Sequence, residues 1–222
     1  CMSQEGYAKN IKNLRRDAPP AQLPDIDGLQ DGIRTMADIL DGLLLLSQLE
    51  ADSLQAQPAT CELQGLFAEL LAAHHERARL AGVSLHANAQ ALAVTTDPGL
   101  LAGLLGRLLD NAINATPAGG RVLLAARVRG ERVRIEVRDS GIGIAPVHQP
   151  RVFDEFFQVG NPERDHRKGF GLGLAIVSRL ATLLGGRVEL RSRLHGGSCF
   201  RIELPRATAG RRMPQALVLS DL

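Results

Sequence analysis

The sequence predicts an α+β fold: a two-layer sandwich in which helices cover one face of a single mixed β-sheet, preceded by a helical hairpin segment. Two observations lead to this prediction. Up to about residue 51 the apolar residues follow only a helical spacing. Pro58 then marks a boundary, beyond which helical segments and short strand-like segments are mixed. Elements in such a mixed order are typical of two packed layers around one core.

Composition narrows the class of protein. The chain has 222 residues, of which 45% are hydrophobic, so it can bury a substantial core. A net charge of +2 and an aromatic content of 3% indicate no nucleic-acid surface. Cys1, Cys61 and Cys199 have no metal-ligand spacing and indicate a reducing compartment. Residues 39–49 are too few and too polar to span a bilayer, and the amino terminus has no signal-peptide pattern.

The amino-terminal part is predicted to form two helices. Residues 4–17 carry apolar side chains at spacings of three and four, and Pro19 and Pro20 end that segment. A second helix begins near Asp25, and its apolar residues form a heptad-like stripe: Ile26, Leu29, Ile33, Met36, Leu40 and Leu43. Such a stripe fits a core helix of a globular domain, or an antiparallel hairpin that pairs with a second chain. We favour the hairpin.

After a predicted linker at residues 52–60, helical and strand patterns are interleaved. Asp97 is a suitable N-cap for a long helix, and Pro98 suits its first turn. Gly130 and Glu131 separate two alternating segments, which indicates a β-hairpin. The predicted helices cover residues 63–80, 98–115 and 171–184, and the predicted strands cover residues 83–87, 92–95, 121–129, 132–139, 187–192 and 198–204.

The first candidate for chemistry is a pair of asparagines near the end of the helix predicted at residues 98–115. Asn111 and Asn114 lie three residues apart and therefore share one helical face. Carboxamide oxygens are suitable hard ligands for Mg²⁺, which usually keeps water and phosphate oxygens as its other ligands. Taken alone, the pair is equally compatible with simple fraying of the helix end.

The second candidate is Asp139, which ends a predicted strand and is followed by Gly141 and Gly143. A carboxylate in this position can accept a hydrogen bond from a purine amino group while the glycine backbone passes close to the base. An ordinary Asp-Ser-Gly turn would give the same local pattern.

The third candidate is a glycine-rich segment at residues 169–177, where glycines alternate before an apolar helix. Backbone amides at a helix amino terminus favour phosphate. The segment is not a Walker loop, which requires Gly-Lys-Ser/Thr, nor a dinucleotide fingerprint, because Ile176 stands at the third glycine position. The preceding loop, residues 158–168, fits a mobile lid or a solvated surface loop. It is polar and contains the basic residues Arg164, Arg167 and Lys168, together with His166.

The order and spacing of these features resemble the histidine-kinase branch of the ATPase superfamily shared with gyrase, Hsp90 and MutL. The resemblance covers about residues 26–205. Its segments are an asparagine box at residues 108–116, an aspartate-glycine box at 139–144, a phenylalanine box of the kinase branch at 152–157, a glycine-rich lid hinge at 169–177, a last glycine turn at 196–200, and the end of a dimerisation helix at 40–52.

This resemblance implies a Bergerat-type ATP-binding fold and a protein kinase that moves the γ-phosphoryl group of ATP to a histidine. Asn111 would hold Mg²⁺, and Asp139 would bind the adenine amino group. Transfer would then depend on positioning and charge stabilisation.

The resemblance also implies roles for other residues of the two glycine-containing boxes. Gly141 and Gly143 would line the base and ribose, and Gly171 and Gly173 would face the phosphates. Residues grouped with Asn111 as catalytic are Asn114, Arg167 and Lys168. The nucleotide-binding set is completed by Ala115, Ile144, Phe156, Gly169, Phe170, Leu172, Leu174 and Ser198.

Three departures from the family pattern affect turnover more than nucleotide binding. No histidine occurs before His74, so the phosphoacceptor motif is absent and is expected to precede residue 1; the run that begins at His74 is interpreted as a solvated helix face. Arg107 stands where the family usually has Asn or an acid, and arginine cannot act as a base at neutral pH. Asn114 stands where a basic residue is usual.

The predicted organisation is a partial dimerisation hairpin at residues 1–51, the linker, a catalytic ATP-binding domain at 61–206, and a tail at 207–222. Residues 216–221 resemble the first strand of a receiver domain, with a disordered tail as the alternative. We expect a cytoplasmic location, ATP and Mg²⁺ as cofactors, a homodimer through residues 26–51, and a response regulator or receiver domain as partner.

Two other functions fit part of this sequence pattern. The alternative is a degenerate nucleotide-binding module that regulates a partner kinase without turnover, for which Arg107 is the main support. An ATPase of the gyrase or Hsp90 type is disfavoured by the phenylalanine box and by the absence of a glutamate at position 107.

Overall fold

The computed structural model describes residues 23–51, 53–89, 91–159 and 170–207. These residues belong to two compact units. One contains helix α1 (Leu23–Glu50) and the segment Pro146–Arg179, and the other contains Ala56–Ala145 and the chain from Leu180. The helix predicted at residues 4–17 and the receiver-like strand predicted at 216–221 lie outside the described residues.

The second unit is built on a five-stranded mixed sheet with the order β2-β4-β5-β7-β6. Strand β2 runs parallel to β4, and the other neighbours are antiparallel. The strands are β2 (Ser84–Asn88), β4 (Arg121–Arg129), β5 (Arg132–Asp139), β6 (Val188–Ser192) and β7 (Ser198–Pro205). Each lies within one residue of its predicted boundaries, because alternating apolar residues mark strands that have one buried face.

Helices α2 (Leu63–Leu80) and α3 (Pro98–Ala115) cover one face of this sheet. Along β5 the side chains of Val133, Ile135 and Val137 are fully buried on the helical side. The core residues of α3 recur at three and four, as the sequence predicted: Leu101, Leu104, Leu105, Leu108, Leu109 and Ala112. The predicted fold class is therefore confirmed, with a charged opposite face on the sheet.

The start of α3 depends on Asp97. One carboxylate oxygen of Asp97 accepts a hydrogen bond from the amide of Leu100 at 3.0 Å, and the other accepts one from the amide of Gln57 at 2.9 Å. Pro98 occupies the first helical position, where its missing amide hydrogen is not needed. The same side chain thus caps the helix and holds the segment that precedes β1.

A second, two-stranded sheet was not predicted, and the expectation of a single sheet is wrong. Strand β1 (Ala59–Glu62) pairs antiparallel with β3 (Ala93–Thr96), so the predicted linker at residues 52–60 overlaps its first two residues. The buried Cys61 lies opposite the buried Val94. A four-residue strand with one buried side chain has too little alternation to be detected without knowledge of its partner.

The first unit contains α1, a 3₁₀ turn at Gln149–Arg151, and the start of α4 (Gly173–Leu183). The helix was predicted from residue 171, but Gly171 has a φ of 74° and so lies outside right-handed helical geometry. Arg179 forms ion pairs with Glu50 of α1 at 3.0 Å and with Glu155 at 3.1 Å. Among the described residues, no helix is long and apolar enough to cross a membrane.

Replacing Asp97 by Ala is expected to destabilise the protein by about 1 kcal/mol, the usual effect of losing a helix N-cap. The amide hydrogen bonds, from Leu100 first, hold the pKa of Asp97 below its ordinary value despite partial burial. Its contribution should therefore be present above about pH 4, the range of the unfolded pKa, and be lost as the pH falls through the folded pKa.

Urea unfolding of wild type and Asp97→Ala at several pH values checks this expectation. Glu131→Ala, an exposed position of the β4–β5 turn, is the control. Equal stability of Asp97→Ala and wild type at neutral pH would contradict the capping role.

Candidate nucleotide site

Asp139 is the best-defined polar group at the end of the sheet. It is the last residue of β5, and its Oδ1 accepts hydrogen bonds from the amide of Gly141 at 2.9 Å and from the amide of Ser198 at 3.1 Å. Burial raises the pKa of this carboxyl, and the two amides, with the hydroxyl of Ser198, act in the opposite direction. The result is a fixed, partly desolvated carboxylate with remaining acceptor capacity.

Glycine is required on both sides of this carboxylate. A Cβ on Gly141 would overlap the carbonyl of Ala115, and one on Gly197 would overlap the carbonyl of Asp139. Gly197 also has a φ of 79°, which L-residues with side chains rarely adopt. Only a backbone without side chains fits between the end of α3, the end of β5 and the turn before β7.

The loop after Asp139 is held by hydrogen bonds to both of its neighbours. The amide of Ile142 donates to the carbonyl of Ala115 at 3.0 Å, and the amide of Ile144 donates to the hydroxyl of Ser192 at 2.8 Å. Gly143 has a φ of 65°, and a Cβ there would overlap the carbonyl of Arg193. The predicted residues Ala115, Asp139, Gly141, Gly143, Ile144 and Ser198 are thus brought together.

The two asparagines of α3 have different surroundings. Asn111 is half-buried, and no hydrogen bond to its side chain occurs within the part of the chain that the structure describes. Asn114 is exposed, and its Oδ1 accepts a hydrogen bond from Arg77 of α2 at 3.0 Å, while Arg77 also binds Asp110 at 2.7 Å. Asn114, predicted as catalytic, therefore joins α3 to α2 in this structure.

The glycine-rich segment belongs to the other compact unit. The amide of Phe156 donates to the carbonyl of Gly171 at 3.1 Å, and Phe156 has a φ of 60°. Gly173 is the first residue of α4, so the amides of its first turn before Ile176, which donates to the carbonyl of Leu172 at 3.0 Å, have no partner within the helix. Leu172 is buried, and Phe170 and Leu174 are half-buried. The predicted residues Arg167, Lys168 and Gly169 lie outside the described residues.

One side-chain oxygen of α3, that of Asn111, is a candidate ligand for Mg²⁺. The described residues contain no group of three His, Cys, Asp or Glu side chains that could hold a metal. Mg²⁺ is commonly bound by few protein oxygens, with phosphates and water completing the octahedron. The amide oxygen of Asn111 fits that mode, because Asn111 has no competing hydrogen bond among the described residues.

Sequence reasoning missed two residues that shape this region. Ser192 was not singled out, because a serine at a strand end carries no pattern of its own. Arg77 was missed because its partners, Asp110 and Asn114, are more than thirty residues away along the chain. Both contacts are tertiary, so only the folded chain reveals them.

Comparison with known proteins gives consistent results. A family model described as histidine kinase-, DNA gyrase B-, and HSP90-like ATPase matches residues 96–208. The sensor protein CreC of Escherichia coli (strain K12) is 33% identical over 201 residues, which cover 89% of this chain and 42% of CreC. The sensor-like histidine kinase SenX3 of Mycolicibacterium smegmatis is 33% identical over 171 residues, covering 77% of this chain and 44% of SenX3.

A solved structure agrees with this result. The crystal structure of full-length ShkA in complex with AMPPNP has a TM-score of 0.75 and 27% identity, and the match covers 95% of this chain and 47% of ShkA. The chain therefore spans less than half the length of each of these three proteins.

Asp139→Asn is expected to raise the melting temperature at neutral pH. Because burial raises the folded pKa of Asp139, its neutral form stabilises the native state at low pH, and that stabilisation is lost as the pH rises through the folded pKa. Asparagine keeps an acceptor oxygen for the two amides and carries no charge to desolvate. The difference between variant and wild type should shrink as the pH falls towards 4.

Thermal unfolding at a series of pH values measures this difference. Glu131→Gln, at an exposed position of the β4–β5 turn, serves as the control for removal of a carboxylate. A lower melting temperature of Asp139→Asn at neutral pH would contradict a desolvation cost at this carboxylate.

Proposed function

This chain belongs to the histidine kinase-, DNA gyrase B-, and HSP90-like ATPase family, as a histidine kinase catalytic domain, and we propose that it transfers the γ-phosphoryl group of ATP to a histidine outside this chain. The phosphorylated histidine then serves a response regulator or receiver domain. The observation that carries this proposal is the fixed, half-buried carboxylate of Asp139 at the end of β5.

Asp139 is proposed to bind the exocyclic amino group of adenine. An amino group donates and a carboxylate only accepts, so the pairing has the correct polarity. Because Oδ1 already binds two backbone amides, the carboxylate cannot rotate away from its position. Guanine presents a carbonyl oxygen at the corresponding position, which a carboxylate repels. Asp139 is therefore proposed to select adenine over guanine nucleotides.

The loop at residues 141–144 is proposed to lie against the base and ribose. Its hydrogen bonds to Ala115 and Ser192 fix its course, and its two glycines keep side chains away from the path of the backbone. A site organised before the ligand arrives loses less conformational entropy on binding.

Asn111 is proposed to supply an oxygen ligand for Mg²⁺ bound to the nucleotide phosphates. When bound, Mg²⁺ would neutralise phosphate charge during transfer. The backbone amides at the start of α4, near Gly171 and Gly173, are proposed to bind phosphate oxygens. Arg167 and Lys168 are proposed to supply positive charge to the terminal phosphate. In this proposal no residue of the chain becomes covalently modified, so rate enhancement comes from positioning and charge.

Exposed apolar residues of α1 support a proposed homodimer through residues 26–51. Met36, Leu40, Leu43 and Leu44 are exposed, although their spacing is that of a packed helical face. The domain organisation predicted from the sequence, with a partial hairpin before the catalytic domain, is proposed on the same ground. A cytoplasmic location is part of this proposal, because ATP and the partner regulators are found there.

The second candidate function is a nucleotide-binding module that regulates a partner kinase without turnover. Its specific support is that Asn114, at a position where the family usually has a basic residue, is engaged with Arg77. Arg107 adds to it, since no general base stands at that position. Under this candidate, nucleotide binding persists and phosphoryl transfer does not occur.

The natural protein that carries this sequence should acquire phosphate on histidine when incubated with Mg²⁺ and γ-labelled ATP. Phosphohistidine is labile in acid and stable in alkali, so parallel treatments of the labelled protein identify it. Asp139→Asn should reduce the labelling rate at limiting ATP, and Glu131→Gln, at an exposed position of the β4–β5 turn, should not change it.

Retained ATP binding with no labelled protein would reject the kinase proposal and favour the regulatory module. Label that survives acid would place the phosphate on another residue type and would also contradict the proposed reaction.

A further inference from the structure

The sheet face opposite α2 and α3 is lined by charged residues rather than by an apolar layer. On β5, Arg134, Glu136 and Arg138 alternate with the buried valines and isoleucine of the helical side. Strand pairing places Cys199 of β7 between Arg138 of β5 and Arg191 of β6. This face therefore concentrates guanidinium groups near the end of the sheet.

A depression of about 480 Å³ opens among these side chains. Its lining contains four arginines and one acid: Arg138, Arg191, Arg193, Arg201 and Asp139. The carboxylate of Asp139 accepts hydrogen bonds from the amides of Gly141 and Ser198. Asp139 directly follows Arg138 along β5. The depression therefore carries an excess of positive charge, and its volume suits a small molecule.

Arg201 is the unusual member of this lining. It is only 6% exposed, and its buried Nε has no hydrogen-bond acceptor among the described residues. The carboxylate of Glu189 lies 3.8 Å from that nitrogen, which is beyond hydrogen-bond distance. Glu189 therefore balances the charge of Arg201 without a hydrogen bond to Nε, and a second anion beside this guanidinium would stabilise it further.

The neighbouring acid cannot supply the missing acceptor. Glu136 lies opposite Arg201 in the strand pairing, but its two oxygens are hydrogen-bonded to Arg127 at 2.7 Å and to Arg138 at 2.5 Å. Burial alone would raise the pKa of Glu136, but these two arginines outweigh it and hold that pKa below its ordinary value. Both carboxylate oxygens of Glu136 thus already accept hydrogen bonds from arginines other than Arg201.

Arg191 and Arg193 contribute the exposed guanidinium groups of the depression. Both are exposed, and neither takes part in a side-chain hydrogen bond or an ion pair within the part of the chain that the structure describes. Together with the guanidinium group of Arg201, they place three positive charges in the lining of one depression. Guanidinium groups match the oxygens of phosphate and carboxylate in pairs, and a phosphate dianion can use more donors than a carboxylate.

We propose that this depression binds a phosphate dianion, either free or at the end of a small phosphate monoester, between Arg191, Arg193 and Arg201. The site lies on the open face of the sheet, and Asp139, which is proposed to bind adenine, stands at its margin. Its ligand would add negative charge beside Arg201 and bridge β6 to β7 at the end where the Ser192–Ser198 turn connects them. The open face of the sheet would thus be a binding site for a phosphate-bearing small molecule.

The Nε–H signal of Arg201 in ¹⁵N–¹H correlation spectra tests this proposal directly. Arg201→Lys identifies the signal by removing it. Inorganic phosphate should shift the signal saturably, whereas sodium chloride at the same ionic strength should not. Arg191→Ala combined with Arg193→Ala should weaken phosphate binding by about tenfold or more, since charged hydrogen bonds are lost. Arg129→Ala, an exposed arginine of β4 outside the depression, should bind phosphate as wild type does.

Two further arms separate the ligands and the sites. A saturable shift with glycerol 2-phosphate at lower concentration than with inorganic phosphate assigns the site to monoesters, and the reverse order assigns it to free phosphate. Asp139→Asn removes a negative charge from the lining and should not weaken phosphate binding, so a loss of phosphate affinity in this variant would place the phosphate at the nucleotide position and overturn the proposal. A shift that never saturates, or one that sodium chloride reproduces, would overturn the proposal.

Discussion

Antiparallel pairing between β5 and β7 is the constraint on which the described chemistry depends. It places the amide of Ser198 against the carboxylate of Asp139, and it requires Gly197 where the backbone crosses the end of β5. The same pairing sends Val137 and Phe200 into the core and leaves Arg138 and Cys199 on the other face. One strand pair therefore fixes the core, the proposed adenine-binding carboxylate and the basic depression behind it.

Each of the two candidate sites contains a charged side chain whose burial lowers the stability of the folded protein. Asp139 is desolvated and Arg201 is almost completely buried, and each such group reduces the stability of the free protein. Charged groups retained at such a cost are typical of binding sites, where the ligand supplies the missing partner. The difference between the two is that Asp139 already has backbone donors, whereas Arg201 lacks an acceptor for its Nε among the described residues.

Most of the fold could be predicted from the sequence because long amphipathic elements carry their own signal. Helix α3 has both a periodic core face and the Asp97 cap, so its limits were predicted correctly. Strand β1 was missed because it is defined by its pairing with β3, and the start of α4 was misplaced because Gly171 adopts a positive φ. Asp139 and its neighbouring glycines could be predicted as candidate site residues because they form a local sequence motif. The engagement of Asn114 by Arg77 and the unsatisfied Arg201 depend on tertiary contacts, which no local pattern contains.

The measurement that tests the central claim most directly is calorimetric titration of the folded chain with ATP and GTP, with and without Mg²⁺, for wild type and Asp139→Asn. The account predicts that ATP binds, that GTP binds much more weakly, and that Asp139→Asn weakens ATP by about ten- to a hundredfold, the effect of losing one hydrogen bond to a charged group. Mg²⁺ should strengthen ATP binding if Asn111 has its proposed role. Equal ATP affinity of wild type and a folded Asp139→Asn variant would contradict the adenine site.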